Sequence, residues 1–175
     1  RIMMVWNSIP SQLAKENRKF IYGCMREGAR AKDFELAIQW LEDAGLIIRS
    51  YRITKPDIPL IAYMEMNSFK MFTLDVGLLG AKANIHAKVL LDGCRIFEEF
   101  KGALTENFVL QSILPYLECD PYYWTSDGKA EVDFVTQIGT DIVPIEVKAG
   151  TSLSGQSLKS YSDKFQPKKM IRLAQ

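Results

Sequence analysis

The chain has 175 residues, 47% of them apolar and 25% charged, with a net charge of +1. These are the proportions of an ordinary globular protein with room for one domain or two small ones. They leave no global field to attract nucleic acid, so any such contact must come from a local patch.

Cys24, Cys94 and Cys119 form no CxxC pair, and with His86 as the single histidine they exclude a zinc site of the usual spacing. The expectation is buried structural thiols in a reducing, cytoplasmic setting. No apolar run reaches the length of a membrane span, and no signal-peptide pattern is present. The opening on Arg1 and the close on a strand-like "KKMIRLAQ" predict a piece of a longer protein.

The first clear helix is "AKDFELAIQWLEDAG". Phe34, Ala37, Ile38, Leu41 and Ala44 recur at helical spacing, and Gly45 ends it. "LIIRSYRI", the proline-interrupted loop "TKPDIPL", "IAYMEM" and "FKMFTLD" follow as strand patterns separated by turn chemistry. A helix closed by glycine and followed at once by a hairpin reads as a winged helix. The helix carries Asp33, Glu35, Glu42 and Asp43 and no basic residue between 33 and 43. Phosphates would repel it, so a packing module is favoured over a DNA reader. Arg26, Arg30, Lys32, Arg49, Arg52 and Lys55 flank it and leave a backbone-contacting edge open.

"DVGLLGAKANI" predicts a short helix and a connection. A longer helix is expected from about Arg95 to Leu114, with a stripe of Phe97, Phe100, Leu104 and Phe108 flanked by Ala103 and Leu110, stopping at Pro115. Beyond it come a strand in "PYYWTSD", a strand in "EVDFVTQ", the turn "IGTD", a strand in "IVPIEVKA", a helix in "LKSYSDKF" and a strand in "KMIRLA". The order is α-β-β-β-α-β. The division between two parts is expected near residues 80 to 95, giving domains 1–85 and 86–175.

Strand interiors seldom carry charge, yet Asp133, Glu146 and Lys148 lie within apolar runs. Alternation sends Val143, Ile145 and Val147 to one face and Glu146 with Lys148 to the other. A tight turn at Gly139 folds the preceding strand back and carries Asp133 towards Glu146. Two converging carboxylates repel unless a cation lies between them, and Mg²⁺ takes such hard oxygen ligands. Lys148 would then stabilise an attacking hydroxide or a phosphate oxygen. The competing reading makes Glu146 and Lys148 solvated residues on an open sheet face, with Asp133 in a surface pair. Tyr122, Tyr123 and Trp124 offer base-stacking surfaces, though core and edge roles are commoner. Lys129, Lys159, Lys164, Lys168 and Lys169 offer a basic rim or a solvated face.

Asp133 followed after twelve residues by Glu146-Val147-Lys148 resembles the signature of the PD-(D/E)xK nuclease superfamily. The α-β-β-β-α-β order matches that superfamily's restriction-endonuclease-like core. Val132 stands where many members have proline. The resemblance implies that Asp133, Glu146 and the Val147 carbonyl hold Mg²⁺ or Mn²⁺ and that Lys148 positions the nucleophile. It also implies that Glu106, in "KGALTENFVL", completes the acidic cluster; otherwise Glu106 is a helix-surface carboxylate. Gln156 corresponds loosely to a helix glutamine of some members.

Taken together, "SIPSQLAKENRKFIYG", "FKMFTLDVGLLGA", "GALTEN" and "EVDFV...PIEVKAG" resemble the C-terminal region of prokaryotic AAA-type ATPases. That resemblance implies an α/β fold in which a winged-helix-like domain precedes the nuclease-like core. It also implies an upstream P-loop domain that binds ATP; no GxxxxGK[ST] occurs here. The implied function is metal-dependent phosphodiester hydrolysis on DNA or RNA. The alternative is a non-catalytic module that binds nucleic acid or protein for the parent ATPase, with the ATPase domain as its own partner and no membrane involved.

Overall fold

A computed structural model describes residues 1–15, 18–86, 98–126, 130–150 and 155–174. Its elements are α1 (Ile2–Leu13), α2 (Ala31–Asp43), β1 (Ile47–Ile53), β2 (Met64–Thr73), α3 (Val76–Lys82), α4 (Glu98–Ile113), β3 (Tyr122–Thr125), β4 (Glu131–Ile138), β5 (Asp141–Lys148), α5 (Gln156–Phe165) and β6 (Ile171–Ala174). The fold is mixed α/β, with one six-stranded sheet in the order β2-β1-β3-β4-β5-β6. The succession α4-β3-β4-β5-α5-β6 follows the expected order.

By compactness the chain divides into two units: residues 1–49 with 70–111, and residues 50–69 with 112–175. The hairpin strands β1 and β2 therefore each run through both units, whereas the sequence reading placed them wholly within residues 1–85.

In the first unit α1 buries Val5, Ile9 and Leu13, one ridge at i, i+4 and i+8. Pro10 lies inside it, which is why its pattern did not read as a helix. Gln12 is also buried, because its amide donates to the Ile21 carbonyl at 2.9 Å and accepts from the Ile21 N–H at 3.0 Å. In α2 the buried residues are Phe34, Ala37, Ile38 and Leu41, the expected stripe. Asp33 accepts from the N–H of Arg30 at 3.2 Å, which satisfies one of the donors a helix start leaves open. At the other end Gly45 takes φ +68°, and Leu46 N–H reaches Leu41 O at 2.9 Å. Glycine adopts that left-handed turn without a Cβ penalty.

The outer face of α2 is not purely acidic, since Leu36 and Trp40 are exposed on it. Along α4, Ala103, Leu104, Val109 and Leu110 are buried, but Phe108 is 55% exposed. The predicted stripe was one position off there, because the buried face also takes Glu106 and Asn107. Phe97 and Cys94 lie outside the described residues. Cys24 is exposed rather than buried, on a short 3-10 turn where Lys15 Nζ lies against its sulfur. Cys119 is partly exposed.

The second unit centres on Ile53, Leu60, Tyr122, Trp124, Val132, Val135, Leu158 and Tyr161. Trp124 meets Tyr161 edge-on at 5.3 Å and Phe165 at 5.5 Å, which fastens α5 to the sheet. β1 pairs with β3 in parallel, with Tyr51 opposite Tyr122. "IAYMEM" and "FKMFTLD" form one strand entered through a 3-10 turn at Leu60–Tyr63. β4 and β5 form a hairpin that closes with Ile138 opposite Asp141. Its two-residue loop begins with Gly139 at φ +61°, the position where a tight hairpin needs glycine. Asp141 is held by Lys168 at 3.0 Å and Lys169 at 3.4 Å.

Candidate functional site

β5 is buried on both of its faces: Val143, Ile145 and Val147 on one, Glu146 on the other. Glu146 is 0% exposed, so it is not a solvated residue of an open face. Lys148 reaches partly into solvent. Phe134 pairs with Ile145, and the same register continued by one step would set Asp133 against Glu146. Side chains of facing residues share a side of the sheet. At this point the backbone ladder gives way, because Val147 N–H donates 2.8 Å to the carboxylate of Asp133.

Neither carboxylate oxygen of Glu146 accepts a hydrogen bond. Two cations flank it instead: Lys148 Nζ is 3.2 Å from Oε1, and Arg172 Nε is 3.6 Å from Oε2. Arg172 stands opposite Glu146 in the parallel β5–β6 ladder. It was not singled out in the sequence. Its signal lay only in the register of a strand whose partner the sequence does not specify.

A buried carboxylate with two oxygens lacking hydrogen-bond donors is a group that a divalent cation satisfies. Among the described residues no three His, Cys, Asp or Glu side chains stand close enough to hold a metal. The donors that the resemblance implies are the carboxylates of Asp133 and Glu146 and the Val147 carbonyl. That set fits Mg²⁺, which binds through one or two carboxylates and keeps several waters.

Glu106 belongs to the first unit. It is 3% exposed and ion-paired to Arg18 and, at 3.6 Å, to the fully buried Lys70. It is therefore not the helix-surface carboxylate that the sequence allowed. Gly102, one turn earlier, makes room for Arg18: a Cβ there would come within 2.6 Å of the guanidinium. Asn107 accepts from Thr73 N–H at 3.0 Å and donates to Thr73 O at 3.1 Å. Through Glu106 and Asn107, "GALTEN" thus ties α4 to Arg18 and to Lys70 and Thr73 of β2.

Tyr122, Tyr123 and Trp124 are each at most 2% exposed, so they are core residues and do not present faces for stacking bases. Burial pushes the phenols of Tyr122 and Tyr123 up to about 12, and that of Tyr161 upward as well. Gln156 is exposed at the start of α5. Lys159, Lys164, Lys168 and Lys169 are exposed, and Lys129 lies outside the described residues.

Of the basic residues that flank α2 in the sequence, Arg26, Arg30 and Lys32 are exposed, while Arg49, Arg52 and Lys55 each pair with a carboxylate. Arg49 pairs with Glu42 and, at 2.7 Å, with Glu35. Arg52 pairs with Glu65 at 3.2 Å and donates to Thr125 O. Lys55 pairs with Asp57 at 2.6 Å. Among the described residues no helix is long and apolar enough to cross a membrane.

Two family models match the chain. One, a domain of unknown function (DUF8612), covers residues 1–89. The other, a domain of unknown function (DUF4143), covers residues 101–174 and is associated with the C-terminal side of AAA-type ATPases. The first spans more than half of the sequence, and the chain belongs to the DUF8612 family. No curated protein and no solved structure matches it.

Proposed function

We propose that the C-terminal part of this chain is a restriction-endonuclease-like module for metal-dependent phosphodiester hydrolysis on DNA or RNA, carried by an AAA-type ATPase. The observation that carries this reading is Glu146, wholly buried and without a hydrogen bond to either oxygen, next to Val147, whose N–H donates to Asp133. Lys148 and Arg172 already balance the charge of Glu146, but its oxygens lack hydrogen bonds, and such hard oxygen donors suit a divalent cation.

Asp133, Glu146 and the Val147 carbonyl would hold Mg²⁺ or Mn²⁺, which when bound supplies a Lewis acid for the phosphoryl oxygen and an activated water. Lys148 lies on the same strand face, its amine 3.2 Å from Glu146. It would orient the nucleophile and balance charge growing on phosphate oxygens. β5 is a rigid, twice-buried strand, which fixes Glu146 and Lys148 two residues apart without loop motion. Residues 1–85 would act as a winged-helix-like packing module, supported by the acidic α2 and by hairpin cations already paired with carboxylates. ATP would be needed only by the upstream domain.

A second reading draws on Lys148 and Arg172, which already flank Glu146 with positive charge. In that reading the nuclease core binds nucleic acid or protein and cleaves nothing. Calorimetric titration with Mn²⁺, paired with cleavage assays on plasmid DNA and on RNA, separates the two. Binding with EDTA-sensitive cleavage supports the hydrolase; a folded chain that binds no Mn²⁺ overturns it.

A further inference from the structure

Besides the stripe it buries, α2 carries a second one. Lys32, Leu36, Trp40 and Asp43 recur at i, i+4, i+8 and i+11, which sets them along one line of the helix surface. All four are exposed, Leu36 by 83% and Trp40 by 52%. Leu36 and Trp40 are neighbours one turn apart and form an apolar patch that the packing of the first unit leaves in water. Glu35 and Glu42 lie to one side of it, both engaged by Arg49.

The charges at the two ends of this stripe oppose the helix's own dipole. Lys32 lies in the first turn, at the positive end, and Asp43 is the last residue, at the negative end. A second α2 laid antiparallel reverses both relations. With Leu36 of one copy opposite Trp40 of the other, Lys32 falls beside Asp43 of the second copy and near the negative end of that helix. Asp43 in turn meets Lys32 and the positive end. A two-fold axis makes each contact twice. The stripe is thus complementary to itself, apolar at its centre and opposite in charge at its ends. A net charge of +1 sets no general repulsion against association.

We propose that α2 is a self-association surface, on which a second copy of this chain docks antiparallel through Lys32, Leu36, Trp40 and Asp43. The proposal is independent of the metal-site reading and requires only the exposed face of α2. A contact of one helix per copy falls short of the roughly 1,600 Å² of a standard interface, so the dimer is weak and concentration-dependent. Trp40 is its reporter. Of the three tryptophans, Trp124 is buried and Trp6 is half-buried, with the Lys82 amine 4.1 Å from its ring.

The test is sedimentation equilibrium of the 175-residue chain from micromolar to millimolar concentration, with tryptophan emission and iodide quenching followed over the same range. The wild type should pass from monomer to dimer. Its emission should shift to the blue and its quenching fall as Trp40 leaves water. Leu36→Glu, at an exposed position that tolerates substitution, should weaken the dimer about tenfold or more, because it buries a charge at the centre of the contact. Lys32→Glu and Asp43→Lys should each weaken self-association about tenfold, since two like-charge contacts replace two opposite ones. An equimolar mixture of those two variants should dimerise as the wild type does, because both end contacts of the mixed pair again join opposite charges. Recovery on mixing also guards against a folding defect, which mixing does not repair. A chain that stays monomeric throughout leaves the stripe to a different occupant and overturns the proposal. So does a dimer that survives unchanged in folded Leu36→Glu, or one whose charge variants associate like the wild type or fail to recover when mixed.

Discussion

Asp133 accepts the backbone N–H of Val147 at 2.8 Å, taking the place a carbonyl of β4 would fill in an unbroken ladder. One side chain thus both ends the β4–β5 pairing and stands next to Glu146. The two roles can be separated. Asp133→Asn keeps an acceptor for Val147, and Asp133→Ala does not. The alanine variant should lose about 1–3 kcal/mol of stability for the buried N–H left without its partner. The asparagine variant should lose clearly less. Both should lose Mn²⁺ binding, since neither keeps the anionic oxygen pair. Urea unfolding and calorimetry check the two halves. Equal destabilisation by both substitutions would show that the Val147 contact contributes nothing to stability.

Glu106 is expected to act through the core of the first unit. Its carboxylate faces Lys70, which is wholly buried, and Arg18. Removing one partner of a buried ion pair typically costs about 3–5 kcal/mol, because the other charge stays behind. Glu106→Ala should therefore lower the denaturation midpoint sharply. Glu106→Ala combined with Lys70→Met should recover much of the loss. A Glu106→Ala protein as stable as wild type would remove the structural role and return Glu106 to the acidic cluster.

The extent to which this was legible in the sequence follows from range. The stripe of α2, the Gly139 turn and the pairing of Glu146 with Lys148 on one strand face are local, set by period and by glycine conformation. They could be read directly. α1 was hidden by Pro10, which a pattern search takes as a stop. Phe108 was assigned to the core because the apolar stripe of α4 excluded charged positions. The buried face in fact includes Glu106, which Arg18 and Lys70, both far off in the sequence, make tolerable. Arg172 was invisible for the same reason: a parallel strand partner is fixed by topology rather than by neighbours in the chain.

Alkaline titration should report the buried phenols. Burial raises Tyr122 and Tyr123 to about 12, above their ordinary value near 10. A group whose folded pKa is raised contributes stability that is fully present below its unfolded pKa. That contribution fades as pH climbs from about 10 through about 12. Tyr122, Tyr123 and Tyr161 should stay protonated in the folded chain as pH passes the ordinary phenol value. Absorbance at the phenolate band, followed against pH with circular dichroism, should show a late step coincident with unfolding. A single early step for all tyrosines, with the fold intact, would contradict the burial of β3.

Lys148 separates a catalytic site from a mere cation-binding one. Its amine touches Glu146 at 3.2 Å yet reaches partly into solvent, so it carries little of the packing. Lys148→Ala leaves the buried Glu146 with Arg172 as its flanking cation, so the metal-free fold should lose about 1–3 kcal/mol, which bound Mn²⁺ restores. Mn²⁺ should bind at least as tightly, because a competing positive charge beside Glu146 is gone. Cleavage, if the lysine orients the nucleophile, should fall by two orders of magnitude or more, in the range of about 10²–10³ for removing one donor of this kind. The fall should appear in kcat rather than in KM, since the amine acts where charge develops and not on the bound ground state. Lys148→Arg keeps the charge but not the compact ammonium geometry, and should rescue little. A loss confined to KM would make Lys148 a substrate-binding residue. Unchanged cleavage by Lys148→Ala, with metal bound, would exclude it from the chemistry.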